Sequence, residues 1–298
     1  MDERLTRTGV GGEPPSTMPL SVVSCLRDGR RASGLRRHIR RTAGCPHECV
    51  FIDNGDGRYG LCAAYNEGVR RARGDIVAFV HDDARFLETG WGRRLADLFA
   101  GDASLGLVGV AGAQVLARSH PWWPYLWDSF AVSRVFHEHG VRRFPRIGRL
   151  RRRWVALRNP IPPERLKMEA VAVDGVFMAV RASLFERLRF DDDTFRGFHM
   201  YDADLCMAVR RTHRVVVVPD LFMKHWYRTD RAKMADFKAE LKRFADKYTT
   251  ELPASVLSWD EVRARLARGS GRERRYLALL DDELRVRSSV RAAAYHTD

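Results

Sequence analysis

The stretch that decides the fold is DIVAFVHDDARF, residues 75–86. It passes through consecutive apolar residues from Ile76 to Val80 and then ends on a histidine and two adjacent aspartates. An apolar run of this length, rich in β-branched residues, indicates a strand that is buried on both faces, as in a parallel sheet. Open α/β sheets bind their ligands at the carboxyl ends of such strands.

The HDD triplet at 81–83 has two interpretations. Adjacent carboxylates repel each other and carry a desolvation cost unless a cation pairs with them. A divalent metal ion that carries a phosphate-bearing substrate is the simplest such cation. The alternative is a solvated turn that caps the next helix, which is the commoner role of a lone pair of aspartates.

The segments around this strand repeat a strand–helix rhythm. The pattern predicts strands at 21–26, 48–54 and 105–113, and helices near 59–73 and 92–100. In the first of these helices, apolar residues recur at i, i+3 and i+4 spacing, and Gly74 ends it. This order predicts an α/β fold with a doubly wound, mostly parallel sheet flanked by helices.

Regular elements are predicted again after residue 167. The segment at 170–185 predicts a strand that is interrupted by Asp174 and Gly175 and leads into a short helix. The segment at 197–211, which contains YDAD (201–204), predicts a turn into a helix, and a last strand at 214–226 ends near His225. Charged helical segments then follow, and together they predict a C-terminal helical extension, or appendage, at 231–298. These segments lie at 231–248, 259–267 and 273–286.

The pattern breaks between residues 118 and 167. HPWWPYLWDSF (120–130) contains three tryptophans, and RRFPRIGRLRRR (142–153) concentrates positive charge. We interpret 118–167 as a flexible basic and aromatic flap over a site, with aromatic faces for a sugar or lipid and arginines for phosphates. Tryptophans that only plug a hydrophobic lid are the alternative.

Composition limits the class of protein. The 298 residues include 52 Lys and Arg against 38 Asp and Glu, and the resulting net charge of +14 predicts a polyanionic partner. The five cysteines show no disulfide framework, and Cys45 and Cys49 lack a second ligand pair for zinc. Residues 1–18 are polar and predict a disordered tail rather than a signal peptide. We expect a cytoplasmic protein that is at most peripheral at the inner membrane face.

Several motifs in their chain order carry a family resemblance. They are FIDN (51–54), AAYNEGVRRARGD (63–75), HDD (81–83), DGVFMAVR (174–181) and YDAD (201–204). In these motifs the chain resembles the family-2 nucleotide-sugar glycosyltransferases of the GT-A fold, over roughly residues 19–228. The resemblance implies a GT-A domain at 19–230 that precedes the helical extension.

The resemblance implies a metal site and a catalytic base. Asp83 stands at the best metal-ligand position of the family's DXD motif, and His225 matches the histidine that often completes the metal or diphosphate site. Asp82 would help to hold the metal and the ribose. His81 departs from the family's first aspartate. Asp202 aligns with the catalytic base.

The resemblance also implies contacts with the donor. Asp53 and Asn54 match the turn that reads the base and ribose, and Asn66 falls beside the nucleotide pocket. The family segment that lines the donor sugar and acceptor corresponds to Asp174 and Gly175. Two further positions belong to YDAD: Tyr201 replaces the usual glutamate, and Asp204 is a support.

These residues predict a metal-dependent, inverting glycosyltransferase. A hard divalent cation, Mn²⁺ or Mg²⁺, neutralises the departing diphosphate, and a carboxylate opposite it takes the proton of the acceptor hydroxyl. The expected donor is a UDP-, GDP- or dTDP-sugar. The expected acceptor is a glycan, glycolipid or polysaccharide of the cell envelope, including lipid-linked acceptors. Peripheral contact of the flap with an anionic membrane and a homo-oligomer are further expectations.

Other functions remain open at this level. A nucleotidyltransferase would also use a doubly wound sheet, and LRDGRRASG (26–34) faintly resembles its glycine- and arginine-rich loop. A nucleic-acid-binding or anion-binding protein without catalysis would explain the charge but not HDD or YDAD, and we expect no nucleic-acid partner. A non-catalytic relative is a third alternative. The acidic triplet at 191–193 follows no buried strand and predicts a solvated turn.

Overall fold

The computed structural model describes residues 20–119, 130–133, 135–137, 167–218, 220–226 and 232–294. The predicted disordered tail at 1–18 and most of the predicted flap at 118–167 lie outside these residues. None of the helices in the described ranges is both long and apolar enough to cross a bilayer.

Helices and strands alternate through the first half of the chain and again after residue 200. The helices are α1 Arg31–Thr42, α2 Leu61–Arg71, α3 Trp91–Gly101, α4 Tyr201–Val209, α5 Ala232–Lys247, α6 Trp259–Arg268 and α7 Gly271–Ala294. The strands are β1 Leu20–Leu26, β2 His47–Asp53, β3 Ile76–Val80, β4 Ala84–Phe86, β5 Leu105–Gly109, β6 Ala111–Ala113, β7 Val115–Leu116, β8 Ala131–Ser133, β9 Val135–His137, β10 Met168–Glu169, β11 Ala172–Val173, β12 Phe177–Arg181, β13 Arg214–Val217, β14 Met223–His225 and β15 Ala254–Ser255.

A seven-stranded sheet in the order β10-β13-β5-β12-β3-β1-β2 forms the centre of the described part. Strands β1, β2, β3, β5 and β13 run parallel, whereas β10 and β12 run against them. The prediction of an α/β fold with a mostly parallel sheet is therefore confirmed. The reversed β12 between β3 and β5 was not predicted. It enters the sheet from a turn at the carboxyl ends of its neighbours, so it has to run backwards.

The middle strand β3 has a core on each face. Val77 and Phe79 belong to one buried cluster, which also contains the inner faces of α2 and α4. Ile76, Ala78 and Val80 belong to a second cluster with the inner faces of α1 and α3. Because successive side chains of a strand point to opposite faces, the uninterrupted apolar run fits a strand covered on both sides.

The predicted strand at 105–113 is divided between two sheets. Its first part, β5, lies in the central sheet, and β6 lies in a three-stranded sheet with β11 and β8. At the division, a Cβ on Gly109 would lie 2.6 Å from Val173 Cβ. The close approach of β11 therefore requires glycine here.

The C-terminal helices share a core with the sheet. Phe244 of α5, Leu266 of α6 and Leu280 of α7 are buried in the same cluster as the inner faces of α2 and α4. The three helices lie close to their predicted positions. The packing of apolar side chains therefore continues across the predicted domain boundary near residue 230.

Candidate active site

Five segments meet at the carboxyl edge of the parallel strands. They are the residues after β1, the residues after β3, the turn before β12, the start of α4 and β14. Strand pairing places them there: Val80 at the end of β3 is opposite Phe177 at the start of β12. His225 of β14 is opposite Ala84 of β4, directly after HDD.

Two histidines and one aspartate form a group that can hold a metal ion. Ligand atoms of His81, Asp83 and His225 all lie within 4.8 Å of one another. His225 Nε2 is 3.1 Å from Asp83 Oδ1. The structure thus brings together the two predicted metal positions, Asp83 and His225. It adds His81, whose role the sequence left open.

The electrostatics of this group suit a divalent cation. Burial alone would raise the pKa of Asp83, but its hydrogen bond with His225 and the neighbouring positive charge hold that pKa well below its usual range. Burial, together with the charge of His225, lowers the pKa of His81 to about 4. His81 is therefore neutral at pH 7, the form that binds metals. A carboxylate with two imidazoles is a donor set that fits Mn²⁺.

Asp82 is hydrogen-bonded to Arg27, an arginine that the sequence analysis did not assign to the site. The buried carboxylate accepts hydrogen bonds from Arg27 at its backbone N–H (3.0 Å), Nε (3.2 Å) and Nη2 (2.9 Å). Arg31 Nη1 lies 3.4 Å from the same carboxylate. Arg27 Nη2 also donates to Asp83. The signal in the sequence was the arginine-rich segment directly after the first strand.

Asp202 lies at the start of α4 and is held by two backbone groups. The Gly175 N–H donates to its Oδ2 at 2.8 Å, and the Ala203 N–H donates to its Oδ1 at 2.8 Å. Burial and the negative charge of Asp174 raise the pKa of Asp202 to about 6. Both members of the predicted Asp174–Gly175 segment thus act on Asp202. A carboxyl group with this pKa can exchange a proton near neutral pH.

Tyr201 connects α4 to the candidate metal-ligand group of His81, Asp83 and His225. Its hydroxyl lies 2.8 Å from His81 Nε2. Burial holds the pKa of Tyr201 well above its ordinary value, so the hydroxyl keeps its proton. A Cβ at position 175 would collide with that hydroxyl, which explains the need for Gly175. The tyrosine that replaces the expected glutamate therefore contacts a candidate ligand.

The two predicted asparagines have their amides bonded to the backbone. Asn54 Nδ2 donates to Tyr59 O at 2.9 Å, and the Tyr59 N–H donates to Asn54 Oδ1 at 2.9 Å. Asn66 makes the same pair of bonds to Phe190, at 2.9 and 3.0 Å. Asp53 is exposed at the rim. Both amides shape loops here, and the predicted nucleotide contacts of these three residues stay predictions.

Asp204 faces the C-terminal helices. It accepts hydrogen bonds from Lys247 Nζ at 2.6 Å and from the Tyr248 hydroxyl at 2.7 Å. Lys247 also lies 2.7 Å from Asp191, the first residue of the acidic triplet that predicted a solvated turn. These bonds anchor Asp204 and Asp191 to α5, and the predicted role of Asp204 stays a prediction.

Comparisons with known proteins agree with this arrangement. A model of the glycosyltransferase-like family matches residues 30–248. A curated relative from Fuscovulum blasticum, named ATP synthase subunits region ORF 6, is 25% identical over 274 residues, which cover 89% of this chain and 96% of that protein.

The solved structures that align with this chain are more distant in sequence. GalNAc-T7 with UDP, GalNAc and Mn²⁺ aligns at a TM-score of 0.53 with 14% identity, over 90% of this chain and 55% of that one. The chain thus spans about half the length of that protein. The mannosyltransferase PcManGT from Pyrobaculum calidifontis, with GDP-Man and Mn²⁺, gives a TM-score of 0.46 and 14% identity, over 91% of this chain and 87% of that one.

The family match and the structure lead to one assignment. The matched residues run from the first helix to the end of α5 and contain the whole group of carboxylates and histidines at the sheet edge. The central, mostly parallel sheet flanked by helices is that of GT-A glycosyltransferases. The chain belongs to the glycosyltransferase-like family and has the GT-A fold.

Proposed function

We propose that the protein is a metal-dependent, inverting glycosyltransferase. It transfers a sugar from a nucleoside-diphosphate sugar to a hydroxyl group of a glycan, glycolipid or polysaccharide. One observation carries the proposal: a carboxylate with a raised pKa, Asp202, starts the same helix turn as Tyr201, which contacts the metal-ligand group through His81. An acid–base group and a cation site are thus held side by side.

The donor side of the reaction uses the edge of β3. Asp83, His225 and His81 would hold Mn²⁺ or Mg²⁺, which supplies neutralising charge for the departing diphosphate. Arg27 adds positive charge beside Asp82 and Asp83, and Arg31 adds it beside Asp82. The UDP and Mn²⁺ of the GalNAc-T7 structure support a nucleoside-diphosphate donor. We assign the base and ribose to the rim at Asp53.

The acceptor side uses Asp202. The acceptor hydroxyl must lose its proton as it attacks the anomeric carbon, and an ionised Asp202 accepts that proton. The Gly175 N–H donates to Oδ2 of the Asp202 carboxylate, and this hydrogen bond holds the carboxylate in one orientation. A base on the face opposite to the leaving group gives a single displacement, and the sugar carbon is inverted.

The acceptor class follows from the sequence. The basic and aromatic flap at 118–167 suits an anionic, lipid-linked acceptor at an inner membrane face, with tryptophans against the sugar. We retain this acceptor, the peripheral membrane contact, the cytoplasmic location and a homo-oligomer as parts of the proposal.

A thermal-shift panel tests the donor site. UDP-, GDP- and dTDP-sugars are each added to the folded protein with and without Mn²⁺. We expect one donor to raise the Tm, and only when Mn²⁺ is present. A panel without any shift contradicts the proposal. Release of pyrophosphate instead of a nucleoside diphosphate would favour the nucleotidyltransferase.

The variant Asp202→Asn tests the base. The amide cannot accept the acceptor proton, so turnover should fall by a factor of about 10²–10⁴ or more. The metal-dependent Tm shift with the donor should persist because Asp202 is not among the candidate ligands. Turnover at the wild-type rate would remove Asp202 from the mechanism.

A further inference from the structure

Arg27 contacts both aspartates of the HDD motif. Its Nη2 lies 2.9 Å from Asp82 Oδ1 and also donates to Asp83 Oδ2. The side chains of Asp82 and Asp83 are only 3% and 10% exposed, whereas 49% of the Arg27 side chain is exposed. A solvent-accessible cation therefore compensates two buried negative charges that would otherwise repel each other.

The two contacts of Arg27 differ in strength. Asp82 receives the backbone N–H, Nε and Nη2 of Arg27, so this pair is held by three hydrogen bonds. Asp83 receives Nη2 alone and shares its other oxygen with His225. The guanidinium can thus leave Asp83 and keep its bonds to Asp82.

A metal ion and the guanidinium would compete for Asp83. The ligand atoms of His81, Asp83 and His225 lie within 4.8 Å of one another, so an ion bound among them would lie beside Nη2. The metal ion and the Arg27 guanidinium are both positively charged, so they would repel each other at close range. Both would also need the carboxylate of Asp83.

We propose that Arg27 is a built-in counter-ion of the metal site. It holds the Asp82–Asp83 pair together in the metal-free protein, and the divalent cation displaces it from Asp83 but not from Asp82. Arg27 thereby lowers the metal affinity of the protein without nucleotide. The displaced Nη2 then faces the diphosphate of the donor. This inference rests on the metal site of the proposed function.

Binding of Mn²⁺ without nucleotide tests the inference. The free Mn²⁺ signal in electron paramagnetic resonance gives the Kd, and the Tm of the metal-free protein is measured beside it. Arg27→Gln should bind Mn²⁺ about tenfold more tightly because the competing charge is gone. Its metal-free Tm should be lower than that of the wild type because two buried carboxylates each lose one cationic partner, and Asp82 keeps only Arg31 and Asp83 only His225.

Arg30→Gln is the matched control. Arg30 follows Arg27 by three residues, pairs with Asp28 at 2.8 Å and makes no described contact with the HDD motif. The substitution Arg30→Gln removes the same charge as Arg27→Gln, but at a position that is screened from the metal site. Its Mn²⁺ affinity should therefore stay within about twofold of the wild type. Arg27→Lys keeps the charge but loses the planar fork and should lie between wild type and Arg27→Gln.

The outcomes separate this inference from the proposed function. If the wild type binds Mn²⁺ and Asp83→Asn does not, while Arg27→Gln binds no more tightly than Arg30→Gln, only the counter-ion role is overturned. If neither the wild type nor Arg27→Gln binds Mn²⁺, with or without UDP, both the metal site and the counter-ion role are overturned. Binding by Arg27→Gln but not by the wild type supports the counter-ion role most strongly.

Discussion

Asp83 and Asp202 lie at the same edge of the sheet, but their surroundings shift their pKa values in opposite directions. Burial raises the pKa of Asp83, but contact with His225 lowers it by more, so the pKa lies below its usual range. Burial and the charge of Asp174 raise the pKa of Asp202 to about 6. One carboxylate is thus kept ionised, and the other can exchange protons. Such divergence between neighbouring titratable groups is typical of sites that need an ion ligand and an acid–base group together.

The pH dependence of turnover follows from Asp202. Below its pKa of about 6 the carboxyl is protonated and cannot accept a proton, and above that pH it is ionised. We therefore expect kcat/KM to rise about tenfold per pH unit up to about pH 6 and then to level off. A profile measured at saturating Mn²⁺ checks this. Activity that is unchanged between about pH 7 and pH 5 would contradict the role of Asp202 as the base.

The Tyr201 hydroxyl should matter for metal binding. It lies 2.8 Å from His81 Nε2, and loss of a group that orients a ligand typically costs 10–100-fold in affinity. Tyr201→Phe should therefore weaken Mn²⁺ binding about tenfold, measured as the Kd without nucleotide.

Tyr65→Phe is the control for this prediction. Tyr65 packs against Tyr201 with ring centroids 5.7 Å apart, but its hydroxyl has no hydrogen-bond partner among the described residues. Its metal affinity should equal that of the wild type. If the two variants bind Mn²⁺ equally well, Tyr201 has no role in orienting His81.

Sequence reasoning found some of these residues and missed others for a physical reason. Asp83 follows the predicted strand β3, and the family resemblance assigned both Asp83 and His225 to the metal site. In the structure, β14 carries His225 in a separate sheet and pairs with β4, directly after HDD. Arg27 is separated from Asp82 by 55 residues, and Tyr201 from His81 by 120. Neither contact follows from periodicity or spacing, because side-chain pairing across such distances depends on the folded backbone.

At the scale of elements, α5 holds the loop that leads to Asp202. The buried carboxylate of Glu240 accepts the N–H groups of Gly197 at 2.8 Å and His199 at 2.9 Å. Directly after this loop, Met200 adopts a left-handed conformation with φ of 60° and precedes α4. The position of the predicted base thus depends on a helix from the C-terminal extension.

Removing this carboxylate should loosen the loop. Glu240→Ala leaves two part-buried N–H groups without their acceptor, so the free energy of unfolding should fall by about 1–3 kcal/mol. We also expect kcat to fall while the Kd for Mn²⁺ stays unchanged, since no candidate ligand contacts Glu240. Denaturant unfolding and steady-state kinetics measure the two effects.

Asp236→Ala is the matched control on the same helix, because Asp236 is exposed. It should leave both quantities within the error of the wild type. A Glu240→Ala variant that behaves like Asp236→Ala would show that α5 does not position the base loop.

Elements were predicted where a local pattern is strong. The apolar run of β3 and the amphipathic face of α2 are local, and both elements lie where the sequence indicates. The reversed β12 and the three-stranded sheet β4-β14-β9 were not predicted. The direction of a strand and the choice of its neighbours depend on pairing between distant segments. The pattern of apolar and polar residues within one segment does not specify that pairing.

At the scale of the whole molecule, the family match and the hydrophobic core both extend beyond residue 230 to α5. The matched residues, 30–248, include α5, and Phe244 of that helix is buried with the inner faces of α2 and α4. The predicted boundary near residue 230 stays a prediction, and apolar packing continues across it. In three dimensions, α5 contributes to the core behind the site.

The net charge of +14 is partly used at the site itself. Arg27 and Arg31 pair with Asp82, and Lys247 pairs with Asp191 and Asp204. The two arginines thus place positive charge beside the candidate metal-ligand group, whereas Lys247 lies on the side of the C-terminal helices. Much of the remaining surplus lies in the predicted flap, where the contact with an anionic membrane stays a prediction.

The most direct test is the anomalous signal of manganese in a crystal grown with UDP and Mn²⁺. The central claim predicts one peak within about 2.5 Å of an Asp83 carboxylate oxygen and His225 Nε2, with the diphosphate beside it. A structure with UDP bound and no manganese at Asp83 would contradict the claim.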